Sequence, residues 1–267
     1  MAGARTTRPR RSRQRLFHVN ADLASPHRAT AARIQYFLWS CPEWWSIGLC
    51  WLAWAVMLQH RWRDTGHGMH HRTSFEDELQ YWMWMVAAMM LPFALHSVRI
   101  TAARTLWARR HRAIAGFLTG YFAPWLALGI AVAAVRQSSW THHHAAAALV
   151  FLAAALWQRT PIHRRALIAC HRTHPLAPVG WRAGFDCIRF GGMIGGACVR
   201  SCWPLMLACA FTGHTAIAMA GGMAVGALER WSFRPRVRAM FGVTVALASY
   251  YGLLALLEYA PHGVPAP

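Results

Sequence analysis

"LQYWMWMVAAMMLPFALHSV", residues 79 to 98, decides the fold. Twenty positions pass without Asp, Glu, Lys or Arg, and at about 1.5 Å per residue that is the length a helix needs to cross the apolar core of a bilayer. Lipid offers no hydrogen bonds to a backbone, so an open chain crossing it has to be helical.

Working outward, comparable apolar runs stand at 113–135 and 239–258, with weaker ones at 44–59, 144–158 and across 184–229. The last is too long for one crossing, and "FTGHT" at 211–215 divides it into 185–210 and 214–229. The sequence therefore predicts an all-α polytopic transmembrane helix bundle of about seven spans, or six if a short run is re-entrant. These make one helical domain over 41–260, between a basic tail at 1–40 that reads as disordered and a short tail at 261–267.

Composition points the same way. Apolar residues make up 56% of the chain and charged ones 14%, against roughly 25% charged in soluble domains. A formal charge of +19 suits nucleic acid only when it gathers on a soluble face or arm. Here the arginines fall between apolar runs, so the expected partner is the lipid bilayer and no specific nucleic acid. All 28 basic side chains are arginine, a bias of GC-rich genomes, and the expected location is the bacterial cytoplasmic (inner) membrane. "RPRRSRQR" at 8–15 has no cleavage site after it and reads as an uncleaved tail.

Basic loops stay on the cytoplasmic side. The tail and the second, fourth and sixth connections are arginine-rich, for example Arg104, Arg109, Arg110 and Arg112 in the second and Arg159, Arg164, Arg165 and Arg172 in the fourth. The third connection has only Arg136 and the fifth none. Seven spans with the N-terminus inside and the C-terminus outside satisfy the rule. On that topology nine of the 16 histidines fall on the outer side.

Two sulfur-rich stretches and one histidine loop carry the candidate chemistry. Helical spacing places Met85, Met89, Pro92 and His96 on one face of the second span, although methionine is also an adaptable core filler. In "DCIRFGGMIGGACVRSCWPLMLACAF", 186–211, Cys187, Cys198, Cys202 and Cys209 fall within about 60° of one another on a continuous helix. Cys198 and Cys202 are one turn apart, with Met206 a turn further. Thiolate and thioether select soft ions such as Cu(I); equally, cysteine packs as a small hydrophobe, beside glycines that permit close helix approach.

The outer loop "HRWRDTGHGMHHRTSFEDE", 60–78, adds His67, His70 and His71 among carboxylates, a common ligand set for transition metals. Asp186, Arg189 and Arg200 are ionisable groups at membrane depth and so are functional candidates, with mutual pairing as the structural alternative. Seven cysteines, an odd number in mostly apolar surroundings, argue against a disulfide framework. No enzyme motif occurs, and nothing argues for catalysis.

Three stretches taken in order, "WMWMVAAMMLP" at 82–92, "WQRTPIHRRALIAC" at 157–170 and "CVRSCWPLM" at 198–206, resemble the integral membrane family known as domain of unknown function 2182, predicted to bind metal. The resemblance covers about residues 79–231 and implies roles for Met85, Met89, Met90 and Pro92, for Gln158, Thr160, Pro161 and Cys170, and for Cys198, Cys202, Trp203 and Met206. His163 stands where that family tends to have lysine, Ala166 and Ser201 where it often has cysteine, and "HTA" at 214–216 where it has methionine and asparagine.

The leading expectation is a membrane protein that binds or moves Cu(I), or another soft transition metal, through Met85, Met89, Cys198, Cys202 and Met206. Outer histidines would collect or release the ion. Two rivals stand beside it: a structural or assembly protein with no metal, and a transporter of a small organic substrate.

Overall fold

The computed structural model describes residues 30, 41, 43–66, 74–136, 144–177, 180–231 and 237–259. The chain divides into two units, 1–41 and 42–267, and every helix named below lies in the second. Among the described residues there are eight α-helices, one short 3-10 turn and no strand. The helices are α1 (Trp44–Gly66), α2 (Phe75–Ala103), α3 (Arg110–Arg136), α4 (His144–Trp157), α5 (Pro161–Cys170), α6 (Trp181–Phe211), α7 (Ala216–Trp231) and α8 (Val237–Tyr259).

Seven of these coincide with the apolar runs. The eighth, α5, lies within the arginine-rich fourth connection, which the apolar scan passes over.

Local chemistry sets the helix starts. Ser74 caps α2: its Oγ accepts from Asp77 N at 3.2 Å while Asp77 Oδ2 accepts from Ser74 N at 3.1 Å. Glu76, Asp77 and Glu78 then sit in the first turn, at the positive end of the helix dipole. Thr160 caps α5 in the same manner, accepting from His163 N at 3.2 Å, with Pro161 preset for the first turn. Between α6 and α7 the chain turns through Gly213 and His214, both with positive φ, at 64° and 58°, the polar break that "FTGHT" predicts.

Four segments are long and apolar enough to cross a membrane: Phe75–Ala103, Trp107–Val135, Trp181–Phe211 and Ala239–Glu258. The pair α4 and α5 passes the same test jointly while bent by 77°, as a broken span or a re-entrant loop would be. Two of the expected spans, α1 and α7, fall outside this set. α7 has only 16 residues, about 24 Å of helix, and α1 ends in the polar run "QHRWRDTG". Trp51, Leu149, Leu156 and Leu256 are each at least 60% exposed, an outer surface suited to lipid rather than water. Among the described residues the fold is all-helical, and its four membrane-length helices are those of a membrane protein.

The tightest contact is α3 against α6, and glycine makes it possible. A Cβ on Gly191 would lie 2.0 Å from Phe117 O, one on Gly195 2.3 Å from Tyr121 O, and one on Gly120 2.0 Å from Ile188 O. Backbone therefore meets backbone, as small-residue stripes allow in membrane helices. This seam brings Tyr121 of α3 against Cys198 of α6.

Three prolines lie inside helices, Pro92, Pro124 and Pro204, and tryptophans answer the carbonyls that the first and last leave free. Pro92 cannot donate to Ala88 O, which instead accepts from Trp54 Nε1 at 3.2 Å and from the Cys50 thiol at 3.4 Å. Pro204 leaves Arg200 O, which accepts from Trp157 Nε1 at 3.1 Å. Trp157 ends α4 and packs edge-on against Trp203, ring centroids 5.4 Å apart. The corner that aims α5 at the middle of α6 is thereby fixed.

Candidate metal centre

Three helices carry the sulfur atoms that converge. Met90 comes from α2, Cys198 and Cys202 from α6, and Cys170 from the last residue of α5. Cys198 Sγ lies 3.8 Å from Met90 Sδ and accepts from the Tyr121 hydroxyl at 3.3 Å. That hydroxyl also lies 3.2 Å from Met90 O, so Tyr121 ties the two sulfur-bearing helices together. Ser201 Oγ stands 3.3 Å from Cys202 Sγ. Cys198, Cys202 and Met90 are all buried.

Arg230, on the last turn of α7, enters this cluster. Its Nη2 is 3.1 Å from Cys198 Sγ, 3.4 Å from Ser201 Oγ, 3.6 Å from Cys202 Sγ and 3.9 Å from Cys170 Sγ. The guanidinium carbon rests 4.6 Å above the Phe93 ring, a favourable place for a cation. Counted along the helices, Cys198 precedes Phe211 by 13 residues and Arg230 follows Ala216 by 14, about 20 Å in each case. α7 is short, and its end falls at the depth of the cysteines.

A buried pair braces the cluster from the far side. His163 of α5 and Glu229 of α7 approach to 3.3 Å with side chains only 3% and 2% exposed. His163 Nδ1 lies 3.0 Å from Ser201 O, and because a carbonyl only accepts, Nδ1 carries the hydrogen and Nε2 faces the carboxylate. Three helices thus lock at Ser201, between the two cysteines. Glu229, beside the arginine-rich sixth connection, reads from sequence as an interfacial residue; the structure places it in the interior instead. Just past Cys170, His171 is held below the ordinary imidazole range by partial burial first and by Arg230 and His96 next.

The remaining candidates scatter. Met85, Met89 and Met206 are completely buried, but Met89 ends beside Gly222, where Cys209 Sγ also arrives. Cys209 is 3.4 Å from Ala218 O. Cys187 packs near Gly116 at the α3–α6 seam. Asp186 accepts from Ala177 N at 3.1 Å, while Arg189 and Arg200 are exposed. Gln158 and Thr244 hydrogen-bond at 3.0 Å, joining the end of α4 to α8.

His67, His70 and His71 lie outside the described residues. Of the other histidines expected on the outer side, His60 and His214 flank the Tyr81 ring at 4.7 and 5.8 Å.

Among the described residues no group of three or more His, Cys, Asp or Glu side chains is arranged to hold a metal ion. What the structure offers is narrower: two thiols one turn apart, a thioether beside one of them, and a guanidinium with no carboxylate in range.

Residues 79–252 match the family model PpoB2, described as a copper chaperone. The chain belongs to this copper chaperone family. The match supports a copper-related role and a description other than the membrane family suggested by the three stretches. Copper fits the donors present: thiolate and thioether are the ligands that select Cu(I). The matched segment contains all of Met90, Cys170, Cys198, Cys202 and Arg230. The chain matches no curated protein and no solved structure.

Proposed function

We propose that this member of the copper chaperone family is a multi-pass protein of the bacterial cytoplasmic membrane that carries Cu(I) as cargo. Cys198 and Cys202 would be its thiolate ligands, with Met90 as the thioether beside Cys198. One observation carries the reading: Cys198 Sγ lies 3.8 Å from Met90 Sδ, and it shares one Arg230 nitrogen with Cys202 Sγ, at 3.1 and 3.6 Å, all three sulfur residues being buried, in a chain whose family is described by copper.

The arrangement also tests for fit. Thiols, the Ser201 hydroxyl and the Phe93 ring already surround one cation, the Arg230 guanidinium, and its Nη1 is buried with no hydrogen-bond partner among the described residues. Cys170 sits at the margin as a third thiol, within reach during transfer.

The topology belongs to the same proposal: seven spans, N-terminus inside and C-terminus outside, with α5 at the inner end of α4. Outer histidines, His67, His70 and His71 among them, would pass the ion toward or away from the buried sulfurs. Met85, Met89 and Met206 would serve as neighbouring thioethers along that route. Asp186, Arg189 and Arg200 would have no part in binding.

Purified protein titrated with Cu(I) against a competing chelator tests the ligand set. Cys198→Ser with Cys202→Ser should lower affinity by roughly 100-fold or more, the scale of losing charged ligands from a buried site. If affinity is unchanged while thermal stability drops, the cysteines are packing residues and the structural reading takes over.

A further inference from the structure

We propose that Arg230 is the resident countercharge of the metal cluster and makes it prefer a monovalent soft ion over a divalent one. This rests on the copper reading of Cys198 and Cys202 and deepens it by assigning the selectivity of that site.

The observation is an unusual pairing. A guanidinium carries its charge at any accessible pH, and a buried charge has to be matched locally. Around Arg230 the matching groups are three thiols and a serine hydroxyl, at 3.1 to 3.9 Å. Among the described residues no carboxylate lies within ion-pair distance of it. The adjacent Glu229 faces His163 at 3.3 Å instead of the guanidinium. Phe93 covers the guanidinium face.

Charge arithmetic then discriminates between cargoes. Metal ligation requires thiolates, so Cys198 and Cys202, as the ligands, contribute two negative charges once their protons have left. A monovalent ion and the guanidinium together contribute two positive charges, and the loaded cluster is neutral. A divalent ion leaves it with one net positive charge. Without Arg230 the outcomes exchange: the monovalent complex is an anion and the divalent one is neutral. In an apolar interior an uncompensated charge is strongly disfavoured, so Arg230 sets the preference through charge rather than by ligating the ion.

The test compares Ag(I), an air-stable monovalent probe, with Cd(II), a soft divalent one, on the full chain in detergent, with helicity monitored by circular dichroism. Arg230→Gln should weaken Ag(I) roughly 100-fold or more and strengthen Cd(II). Arg230→Lys, which keeps the charge, should preserve the wild-type order. An Ag(I) to Cd(II) affinity ratio in folded Arg230→Gln within about threefold of wild type would overturn the inference while leaving the copper reading intact. Should the glutamine variant fail to fold, wild-type protein holding Cd(II) as firmly as Ag(I), or a lysine variant with a collapsed ratio, overturns it instead. Wild-type protein that binds neither Cu(I) nor Ag(I) removes the copper reading itself.

Discussion

Met89 and Met90 are neighbours in the chain, yet a step of about 100° around α2 sends them to different places. Met90 reaches Cys198, and Met89 reaches Gly222 and Cys209. Both are completely buried, so burial alone does not separate ligand from filler. Replacement by leucine conserves volume and should cost less than about 1.5 kcal/mol of stability at either site. Met90→Leu should nevertheless weaken Cu(I) binding by about tenfold, and Met89→Leu should leave it unchanged, in the same chelator competition. Spacing could show that Met85 and Met89 share a face, but not which face meets α6. Arg230 was harder to see. It follows Glu229 and precedes a run of arginines, so the sequence reads it as part of the sixth connection. Only the short length of α7 and its turn at Gly213 bring it level with Cys198.

At the scale of elements, sequence and structure agree where a single physical rule dominates. Apolar length alone locates seven helices, because each must bury or present a continuous apolar surface, and "GGMIGG" marks the close seam because only glycine permits it. α5 escapes the same rule. Its ten residues include Arg164 and Arg165 on an exposed face and bury only His163 and Ala166, so the stretch is amphipathic and neither long nor apolar enough on average for a scan of apolar length to find it. Its cap, Thr160 before Pro161, was the legible signal. The seam gives its own prediction. Gly191→Ala would set a methyl 2.0 Å from Phe117 O, which forces α3 and α6 apart and should cost about 1–3 kcal/mol, read as a lower midpoint in thermal unfolding. Because Tyr121 rides on the same seam, that variant should also lose part of its Cu(I) affinity. Gly184→Ala, where a Cβ meets nothing within 4 Å, is the matched control.

For the whole molecule, the arginines divide the connections into rich and poor sets, and the proposed orientation follows from that division. Reporter fusions check it: a fusion after Tyr259 should be active only outside the membrane, and one within residues 172–180 only inside. The reverse result would invert the route of the ion relative to the buried sulfurs. The proposed copper ion, however, is held by sulfur where α2 and α6 meet. X-ray absorption at the copper edge of the Cu(I)-loaded full chain tests it most directly. The predicted result is a first shell of sulfur alone, lost in the Cys198→Ser, Cys202→Ser variant. A shell of nitrogen or oxygen in the wild-type protein, or a sulfur shell that survives in the variant, would contradict it.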